Sequence, residues 1–397
     1  MRTWSDHPFP DDVPLSSVEL AGENLGGGGQ AHTVDRLADR PGWVAKLYKS
    51  PMAPAEAATL RRLVALPRSM TQADLGTLDR SAAWPVSRIT DGDRTVGVVM
   101  AEAPSRFYVP FNLRGGRRSE PRELQLDHLV KDAAYLKAIG VHPPARQRRL
   151  EIACRFLELG AVLERHDVVY GDWSYRNALW DQDSDSVYLL DMDSCGIGTR
   201  SWIASPDWSD PAFPEGTPLT VPTDRYRMAL LALRCITGAR GEPLESLSRL
   251  ERDWPASDTF PALLRQALDR GDLRNRPRTA TLLKALRSPG GTGAQADVAP
   301  GSNVTGFRQV RHRPAAKTSG ATTSGAKATG GTASGGTART AEPHTRGPAP
   351  QPAATAAPGP GSHPSPAGNG KGAAQFIGCC VALALLALFV VLLVLWA

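Results

Sequence analysis

The feature that most restricts how this chain can fold is a long stretch of small and polar residues near its C-terminus. From Ser288 to Gln375 the sequence repeats Gly, Ala, Ser, Thr and Pro, as in TSGATTSGAKATGGTASGGTART, with almost no large apolar side chain. Such a segment cannot bury enough apolar surface to offset the entropy lost on ordering. We therefore predict a disordered linker over 288–375, and the residues before it suit one domain with a full core.

The segment after this linker is apolar throughout. Residues 376–397 read FIGCCVALALLALFVVLLVLWA, without one charged side chain, and are long enough to cross a hydrocarbon core of ~30 Å as a helix. The alternative is a buried core helix, but a helix that is apolar on all sides and follows a disordered linker has no core to enter. We predict a single transmembrane helix. Basic residues precede it and the N-terminus is polar and acidic, without a secretory signal, so we expect the rest of the chain on the cytoplasmic side of the cell membrane.

The formal net charge of +6 is concentrated in the linker. Residues 288–397 contain eight basic and two acidic side chains, which leaves residues 1–287 balanced. The basic pI of the sequence therefore does not indicate a nucleic-acid-binding domain, and we expect no nucleic-acid partner. Three cysteines of this part, Cys154, Cys195 and Cys235, have no paired spacing, which suits a reducing compartment and neither a disulfide framework nor a zinc site.

The foldable part changes from strand patterns to helical patterns along its length. VELAGENLGGGGQAHTVDRL is typical of a strand, a glycine turn and a return strand, PGWVAKLYK and RTVGVVMAEAP predict further strands, and one helix is expected over Ala55–Leu66. Between Pro104 and Pro144 the pattern is hard to assign, and we interpret it as a connection with an insertion.

Beyond this interval the patterns are mostly helical. RRLEIACRFLELGAVLERH places Leu150, Ala153, Leu157 and Ala161 at helical spacing. SVYLLDMDSCGI predicts a strand, TDRYRMALLALRCITG an apolar helix, and PALLRQALDRGDLRNRPRTATLLKAL two further helices around a turn. The predicted fold class is α+β, with a β-rich N-terminal lobe followed by a helical C-terminal lobe.

The polar motifs fall at the junction of the two lobes. In VVYGDWSYRNALW, Asp172 lies on a tight loop and Asn177 follows five residues later, while Asp191 ends the next hydrophobic strand. These side chains offer oxygen ligands suited to Mg²⁺ and one further carboxylate that can orient a hydroxyl group. Each residue alone could cap a helix or form a turn, but their joint spacing favours a common site.

The N-terminal lobe contributes two weaker signals. Four glycines, Gly26, Gly27, Gly28 and Gly29, leave the backbone bare, so that the loop can approach a triphosphate closely, although a plain turn is the alternative. Lys46 lies in an apolar strand, where its ammonium would need a charged partner unless it points to solvent from the strand edge.

The order of a Gly-rich loop, a strand Lys, Asp-x4-Asn and a strand-end Asp resembles the protein kinase superfamily over residues 15–287. The resemblance implies a bilobal fold that binds ATP and Mg²⁺ between its lobes. It implies that Gly26–Gly29 cover the phosphates, that Lys46 holds them, that Asp172 is the catalytic Asp and that Asn177 and Asp191 bind the metal. It further implies that adenine bonds to the backbone near Ala101 and Ala103, and that Glu56 pairs with Lys46.

Two segments of the helical lobe extend the resemblance. Asp224 occupies the position of a buried Asp that holds the catalytic loop from beneath, and Arg276 that of the closing Arg-Pro segment. Ala212 replaces the Glu that normally pairs with this Arg, so we expect Asp210 to substitute.

The catalytic segments also depart from the usual pattern. Gly171 stands where many regulated kinases have Arg, Ser174 fills the usual Lys position, and Asp193 replaces the Gly of Asp-Phe-Gly. Arg176 is then expected to reach the γ-phosphate. This combination resembles an atypical bacterial subgroup of kinase-like proteins.

Three functions remain open from the sequence. The first is a membrane-anchored Ser/Thr-type protein kinase, acting on protein substrates and on the hydroxyl-rich linker of its own chain. The second is a pseudokinase that serves as a nucleotide-binding scaffold at the membrane, suggested by the missing Glu and Lys. The third is a small-molecule phosphotransferase, suggested by Tyr170-Gly171-Asp172.

Overall fold

The computed structural model describes residues 2–28, 31–205, 207–255, 258–269, 273 and 275–288. The predicted linker beyond Ser288, the predicted transmembrane helix over 376–397, and Gly29 lie outside these residues. Within the described ranges no helix is both long enough and apolar enough to span a membrane.

The described elements begin with strands and continue mainly with helices. The strands are β1 (Asp12–Pro14), β2 (Gly26–Gly28), β3 (Ala31–Arg36), β4 (Trp43–Tyr48), β5 (Pro85–Asp91), β6 (Arg94–Ala101), β7 (Tyr108–Asn112), β8 (Arg118–Glu123), β9 (Val168–Val169), β10 (Ala178–Trp180), β11 (Val187–Leu189), β12 (Gly196–Ile197), β13 (Thr199–Arg200) and β14 (Leu219–Thr220). The helices are α1 (Pro54–Ala65), α2 (Gln72–Ser81), α3 (Ala133–Ala138), α4 (Arg146–Arg165), α5 (Val221–Thr237), α6 (Pro243–Arg252), α7 (Phe260–Leu268) and α8 (Thr279–Leu286).

The N-terminal lobe is built on one six-stranded sheet in the order β1-β5-β6-β4-β3-β2. Its pairs are antiparallel except for β1, which runs parallel to β5 and places the buried Val13 opposite Ile89. The folded part therefore begins before the predicted boundary at residue 15, because β1 completes an edge of the sheet.

Strand β4 shows how the sheet separates its two faces. Successive side chains of a strand point to opposite faces. Trp43 and Ala45 enter one apolar cluster, whereas Val44 enters the larger cluster that also contains Leu60 and Leu63 of α1. Burial of each such leucine contributes about 1.5–3 kcal/mol, so this packing fixes the face of β4 on which Lys46 and Tyr48 also lie.

The described residues of the N-terminal lobe form two helices longer than two turns, which corrects the prediction of one. Helix α2 begins after Thr71, whose side chain accepts a hydrogen bond from the Asp74 amide, and it buries Leu75 and Leu78. The signal for it is the Thr-x-x-Asp cap followed by apolar residues at helical spacing, an acidic variant of the capping box.

The interval between Pro104 and Pro144 holds an antiparallel hairpin of β7 and β8 and then the short helix α3. This hairpin is the inserted element in the connection between the lobes. Its irregular sequence conceals it, because Pro110 and Pro121 lie within the paired strands.

The helical lobe is organised around α4 and α5, which pack against each other. Leu150, Ala153, Leu157 and Ala161 are buried on α4, which confirms the helical spacing predicted for them. The predicted helices near the end of the domain are α5, α7 and α8, and α6 is an additional one that buries Leu247 and Leu250.

Candidate active site

A cleft of about 1500 Å³ lies between the sheet and the helical lobe. Gly27 and Gly28 continue β2 from Gly26, which is on the cleft wall, and Ala31 at the start of β3 is also on the wall. The structure thus brings most of the predicted site residues to one space, and those on its wall are Gly26, Lys46, Ala101, Ala103, Asp172, Arg176, Asn177 and Asp191.

A short hairpin brings the two predicted metal ligands to the same end. Strands β10 and β11 are antiparallel with Ala178 opposite Leu189, so Asn177 and Asp191 flank the paired residues. The Leu190 amide donates to the Asn177 carbonyl at 2.8 Å and closes this end of the hairpin. Residues fourteen positions apart in sequence therefore become neighbours because the intervening turn reverses the chain.

The loop that carries Asp172 is held from below by Asp224. The Asp224 carboxylate accepts hydrogen bonds from the amide of Tyr170 at 2.7 Å and from the amide of Gly171 at 3.0 Å. The predicted place of Asp224 beneath the loop is confirmed. Burial raises the pKa of Asp224 to about 6, although the charge of Arg227 and the two amide donors oppose this rise.

Gly171 has a backbone conformation that explains why no Arg stands there. Its φ is +67°, and a Cβ atom at this position would come within 2.7 Å of Leu219 Cδ1 and 3.1 Å of Arg200 Cδ. A side chain is therefore disfavoured by both the backbone and the neighbours.

Arg200 supplies a positive charge beside this loop, and the sequence did not indicate it. Its guanidinium donates to the Tyr170 carbonyl and, at 3.0 Å, to Ser194 Oγ, and it lies on the cleft wall. Burial raises the pKa of Asp172, while the charge of Arg200 and a hydrogen bond from Asn177 oppose that rise. No simple spacing could have found Arg200, because its approach depends on the pairing of β12 and β13.

Lys46 is buried, with 7% of its surface exposed, and its ammonium has two carboxylate partners. Nζ donates to Asp191 Oδ1 at 2.9 Å and to Asp193 Oδ1 at 2.9 Å. Burial works against the charged form, but the negative charges of Asp193 and then Asp191 outweigh it and raise the pKa of Lys46. The alternative of a solvent-facing lysine is thereby excluded.

The expected pair between Lys46 and Glu56 is not formed, which corrects that assignment. Glu56 is exposed in the first turn of α1, whereas the carboxylates that contact Lys46 within the described residues are Asp191 and Asp193. The resemblance pointed to a helix carboxylate, but Asp193 already occupies the space next to the ammonium. The signal for Asp193 is a second acidic residue two positions after Asp191.

The cleft residues fit a magnesium ion bound together with phosphate groups. Asp191 has a φ of 57° and 46% of its side chain exposed, so its carboxylate faces the cleft. Asn177 donates its Nδ2 amide to the Asp172 carbonyl at 3.1 Å, which leaves its Oδ1 oxygen for a cation. No group of three or more His, Cys, Asp or Glu side chains suited to a metal occurs in the described part of the chain. Magnesium would therefore need phosphate oxygens and water besides these two ligands, which is its usual preference.

The connection between the lobes forms the far wall of the cleft. Strand β6 ends at Ala101, and the next amide, that of Glu102, donates to the Gly42 carbonyl at 3.0 Å. The Glu102 carboxylate accepts from Arg36 at 2.8 Å. Ala103 follows on the cleft wall. Arg176, next to Asn177 in sequence, is exposed and also lies on the wall.

A buried ion pair closes the segment that follows the site. Arg276 and Asp210 have 0% and 2% of their side chains exposed, and Arg276 Nη2 donates to Asp210 Oδ1 at 2.9 Å, with a second bond from Nη1 to Oδ2. The expectation that Asp210 substitutes for the missing Glu partner is confirmed.

The described residues form a β-rich lobe and a helical lobe, and the predicted polar site residues lie at their junction. No protein-family model and no curated protein sequence matches the chain. Among solved structures, the chain is similar to the ROP18 kinase domain in complex with AMP-PNP and sucrose. That similarity has 17% sequence identity and a TM-score of 0.43, and it covers 66% of this chain and 76% of the other.

Proposed function

We propose that this chain is a membrane-anchored protein kinase that transfers the γ-phosphate of ATP to Ser and Thr hydroxyl groups of proteins. The observation that carries the proposal is the convergence of Lys46, Asp172, Asn177 and Asp191 on one cleft, with Lys46 and Asp191 in contact at 2.9 Å. Lysine from a strand of one lobe and acidic and amide groups from the other give the charge pattern that a nucleotide triphosphate and its metal require.

Each side chain has a distinct part in the proposed reaction. Lys46 would hold the α- and β-phosphates, Asp191 and Asn177 would hold Mg²⁺, and Arg176 would meet the γ-phosphate. Bound Mg²⁺ would neutralise charge on the phosphate oxygens. Asp172 would orient the acceptor hydroxyl and take its proton as the oxygen bonds to phosphorus and ADP leaves.

The identity of the acceptor is supported by the helical lobe. Asp224 supports the loop that carries Asp172, and the Arg276–Asp210 pair holds the end of the segment that runs from Asp191 to Asp210, beside which a protein substrate would bind. The hydroxyl-rich stretch over 288–375 is tethered to the same chain, so autophosphorylation there belongs to the proposal.

The membrane anchor is supported by the sequence of residues 376–397, which has no charged side chain. A single span there would keep the kinase domain on the cytoplasmic side, because basic residues precede it. Anchoring would also raise the local concentration of membrane-bound protein substrates.

A nucleotide-binding scaffold is the second candidate, and one contact favours it. Asp191 is bonded to Lys46 at 2.9 Å, and an Asp held in this way is less free to bind a metal. Ser174 in the usual Lys position points in the same direction.

The test is phosphate transfer from γ-labelled ATP with Mg²⁺, using the full-length chain in a mild detergent and its Asp172→Asn variant. Loss of a general base lowers rates about 10²–10⁴-fold, so we expect label on the chain or on generic protein substrates to fall at least ~100-fold. Asp183→Asn is the matched control, because 75% of the Asp183 side chain is exposed, and it should label like the unaltered chain.

The other outcomes separate the candidates. No label that depends on Asp172 would favour the scaffold, and ATP turnover stimulated by a metabolite pool but not by protein would favour a small-molecule phosphotransferase. Mass spectrometry of the labelled chain tests the linker, and an absence of phosphate between residues 288 and 375 would remove autophosphorylation there.

A further inference from the structure

Asp193 lies in a single helical turn, Met192–Ser194, directly after Asp191. Only 2% of its side chain is exposed, and both of its oxygens are bonded. Oδ1 accepts from Lys46 Nζ at 2.9 Å and Oδ2 accepts from the Tyr48 hydroxyl at 2.9 Å. The carboxylate therefore bridges two side chains of β4.

This bridge follows from strand geometry. Lys46 and Tyr48 are two residues apart and so point to the same face of β4. A buried carboxylate is costly unless it is paired and hydrogen-bonded, and here each oxygen has its own donor. Burial raises the pKa of the Tyr48 phenol well above its usual value, and the charge of Asp193 raises it further, so Tyr48 remains a neutral donor.

The two carboxylates around Lys46 differ in what they face. Asp191 is 46% exposed in its side chain and lies on the cleft wall. Asp193 is buried, and its second oxygen is bonded to Tyr48 of β4. Asp191 can therefore turn toward a cation in the cleft while Asp193 stays bonded to Lys46.

Helix α1 does not provide a partner of this kind. Its first-turn carboxylate, Glu56, is exposed, and α1 packs against the Met192–Ser194 turn. The space that a helix carboxylate would need next to Lys46 is occupied by Asp193.

We propose that Asp193 is the positioning residue that holds Lys46 in place for phosphate binding, in the role the resemblance assigned to a glutamate of α1. The role of Asp193 in nucleotide binding rests on the proposed function, whereas its contact with Lys46 does not. Because Asp191 immediately precedes the turn that contains Asp193, the lysine and the proposed metal-binding carboxylate are set by the same short segment. The position of α1 is then not required to hold Lys46.

The first experiment measures binding of AMP-PNP with Mg²⁺ by calorimetry, with the full-length chain in mild detergent. Asp193→Asn should weaken binding at least ~10-fold, because the lysine loses its buried charged partner. Glu56→Gln tests the competing assignment and should bind within about twofold of the unaltered chain, as should the exposed control Asp183→Asn. In turnover assays Asp193→Asn should raise the KM for ATP.

The second experiment needs no nucleotide and compares unfolding midpoints of Lys46→Met, Asp193→Asn and the double variant. Breaking one partner of a buried pair leaves the other charge uncompensated. The decreases in midpoint caused by the two single changes should therefore add up to more than the decrease caused by the double variant. The same comparison for Lys46→Met and Glu56→Gln should be additive.

The outcomes distinguish the two claims. If the unaltered chain does not bind Mg²⁺ and AMP-PNP, the proposed function fails, while non-additivity in the second experiment would still support the Lys46–Asp193 link. If the chain binds, and Asp193→Asn binds equally well or Glu56→Gln shows the loss instead, the inference is overturned. Additive midpoints for Lys46 and Asp193 overturn it as well.

Discussion

At the scale of single residues, the site depends on charged groups that are buried with defined partners. Asp224 supports the loop that carries Asp172 through two backbone amides, and Asp193 holds Lys46 and Tyr48. Each of these carboxylates is costly to bury alone and useful only because donors surround it. Substitutions here should therefore alter stability as well as activity.

Asp224 makes stability depend on pH. Its pKa rises from 3.8 to about 6 on folding, so the folded chain retains a proton that the unfolded chain has already lost. The stability this gives is fully present below about pH 4 and is lost as pH rises through about 6. A shift of about two units corresponds to ~3 kcal/mol. Between pH 4 and pH 7, the free energy of unfolding of the unaltered chain, measured by thermal unfolding, should fall by about this amount relative to that of Asp224→Asn. A constant difference over that window would contradict the prediction.

Gly171 should not tolerate a side chain. Gly171→Ala combines a positive φ of +67° with a contact of 2.7 Å to Leu219, so we expect a loss of at least ~2 kcal/mol and a large loss of phosphate transfer. Gly216→Ala is the matched control, because Gly216 has a φ of +83° but no neighbouring atom within 4 Å of the added Cβ. It should lose only ~1 kcal/mol. If urea denaturation showed equal losses of unfolding free energy for the two variants, the contact with Leu219 would add nothing to the cost of the positive φ.

At the scale of elements, the hairpin of β10 and β11 and the segment after it carry the site. The hairpin places Asn177 beside Asp191, the turn after it places Asp193 under Lys46, and the pairing of β12 with β13 presents Arg200 to the loop. The segment ends at Asp210, which is bonded to Arg276. A substitution at Asp210 should therefore lower the stability of the helical lobe.

Breaking the buried Arg276–Asp210 pair should destabilise the domain strongly. Asp210→Asn removes the charge opposite a fully buried guanidinium, for which we expect a loss of about 3–5 kcal/mol in urea denaturation. The comparison is Glu245→Gln, which removes an exposed partner of Arg249 one helical turn away and should cost about 0.5 kcal/mol or less. Similar losses for the two variants would mean that the buried pair does not brace the lobe.

Elements whose periodicity is carried by their own residues could be predicted from the sequence. Helix α4 follows from Leu150 and its helical repeats, and the common site of Asn177 and Asp191 follows from their joint spacing with Asp172. Contacts that depend on tertiary packing could not be predicted. The Asp193–Lys46 bond joins residues far apart in sequence, and the approach of Arg200 to the Tyr170 carbonyl depends on the pairing of β12 with β13. Helix α2 is not predicted, because Leu75 and Leu78 are the only large apolar residues in Gln72–Ser81 and so give a weak helical repeat.

At the scale of the whole molecule, the two lobes each supply half of a site. The sheet contributes Lys46 and the glycines of β2, and the helical lobe contributes Asp172, Asn177 and Asp191. Neither half alone has the charges needed to hold a metal-bound triphosphate. The proposed anchor and hydroxyl-rich linker would keep this site near the membrane while allowing it to reach substrates.

The most direct test of this account measures how Mg²⁺ changes the affinity for AMP-PNP in the full-length chain and in Asp191→Asn. If Asp191 and Asn177 hold the metal opposite Lys46, Mg²⁺ should tighten binding at least ~10-fold in the unaltered chain and have little effect in the variant. Binding that is indifferent to Mg²⁺, or that responds equally in both proteins, would contradict the account.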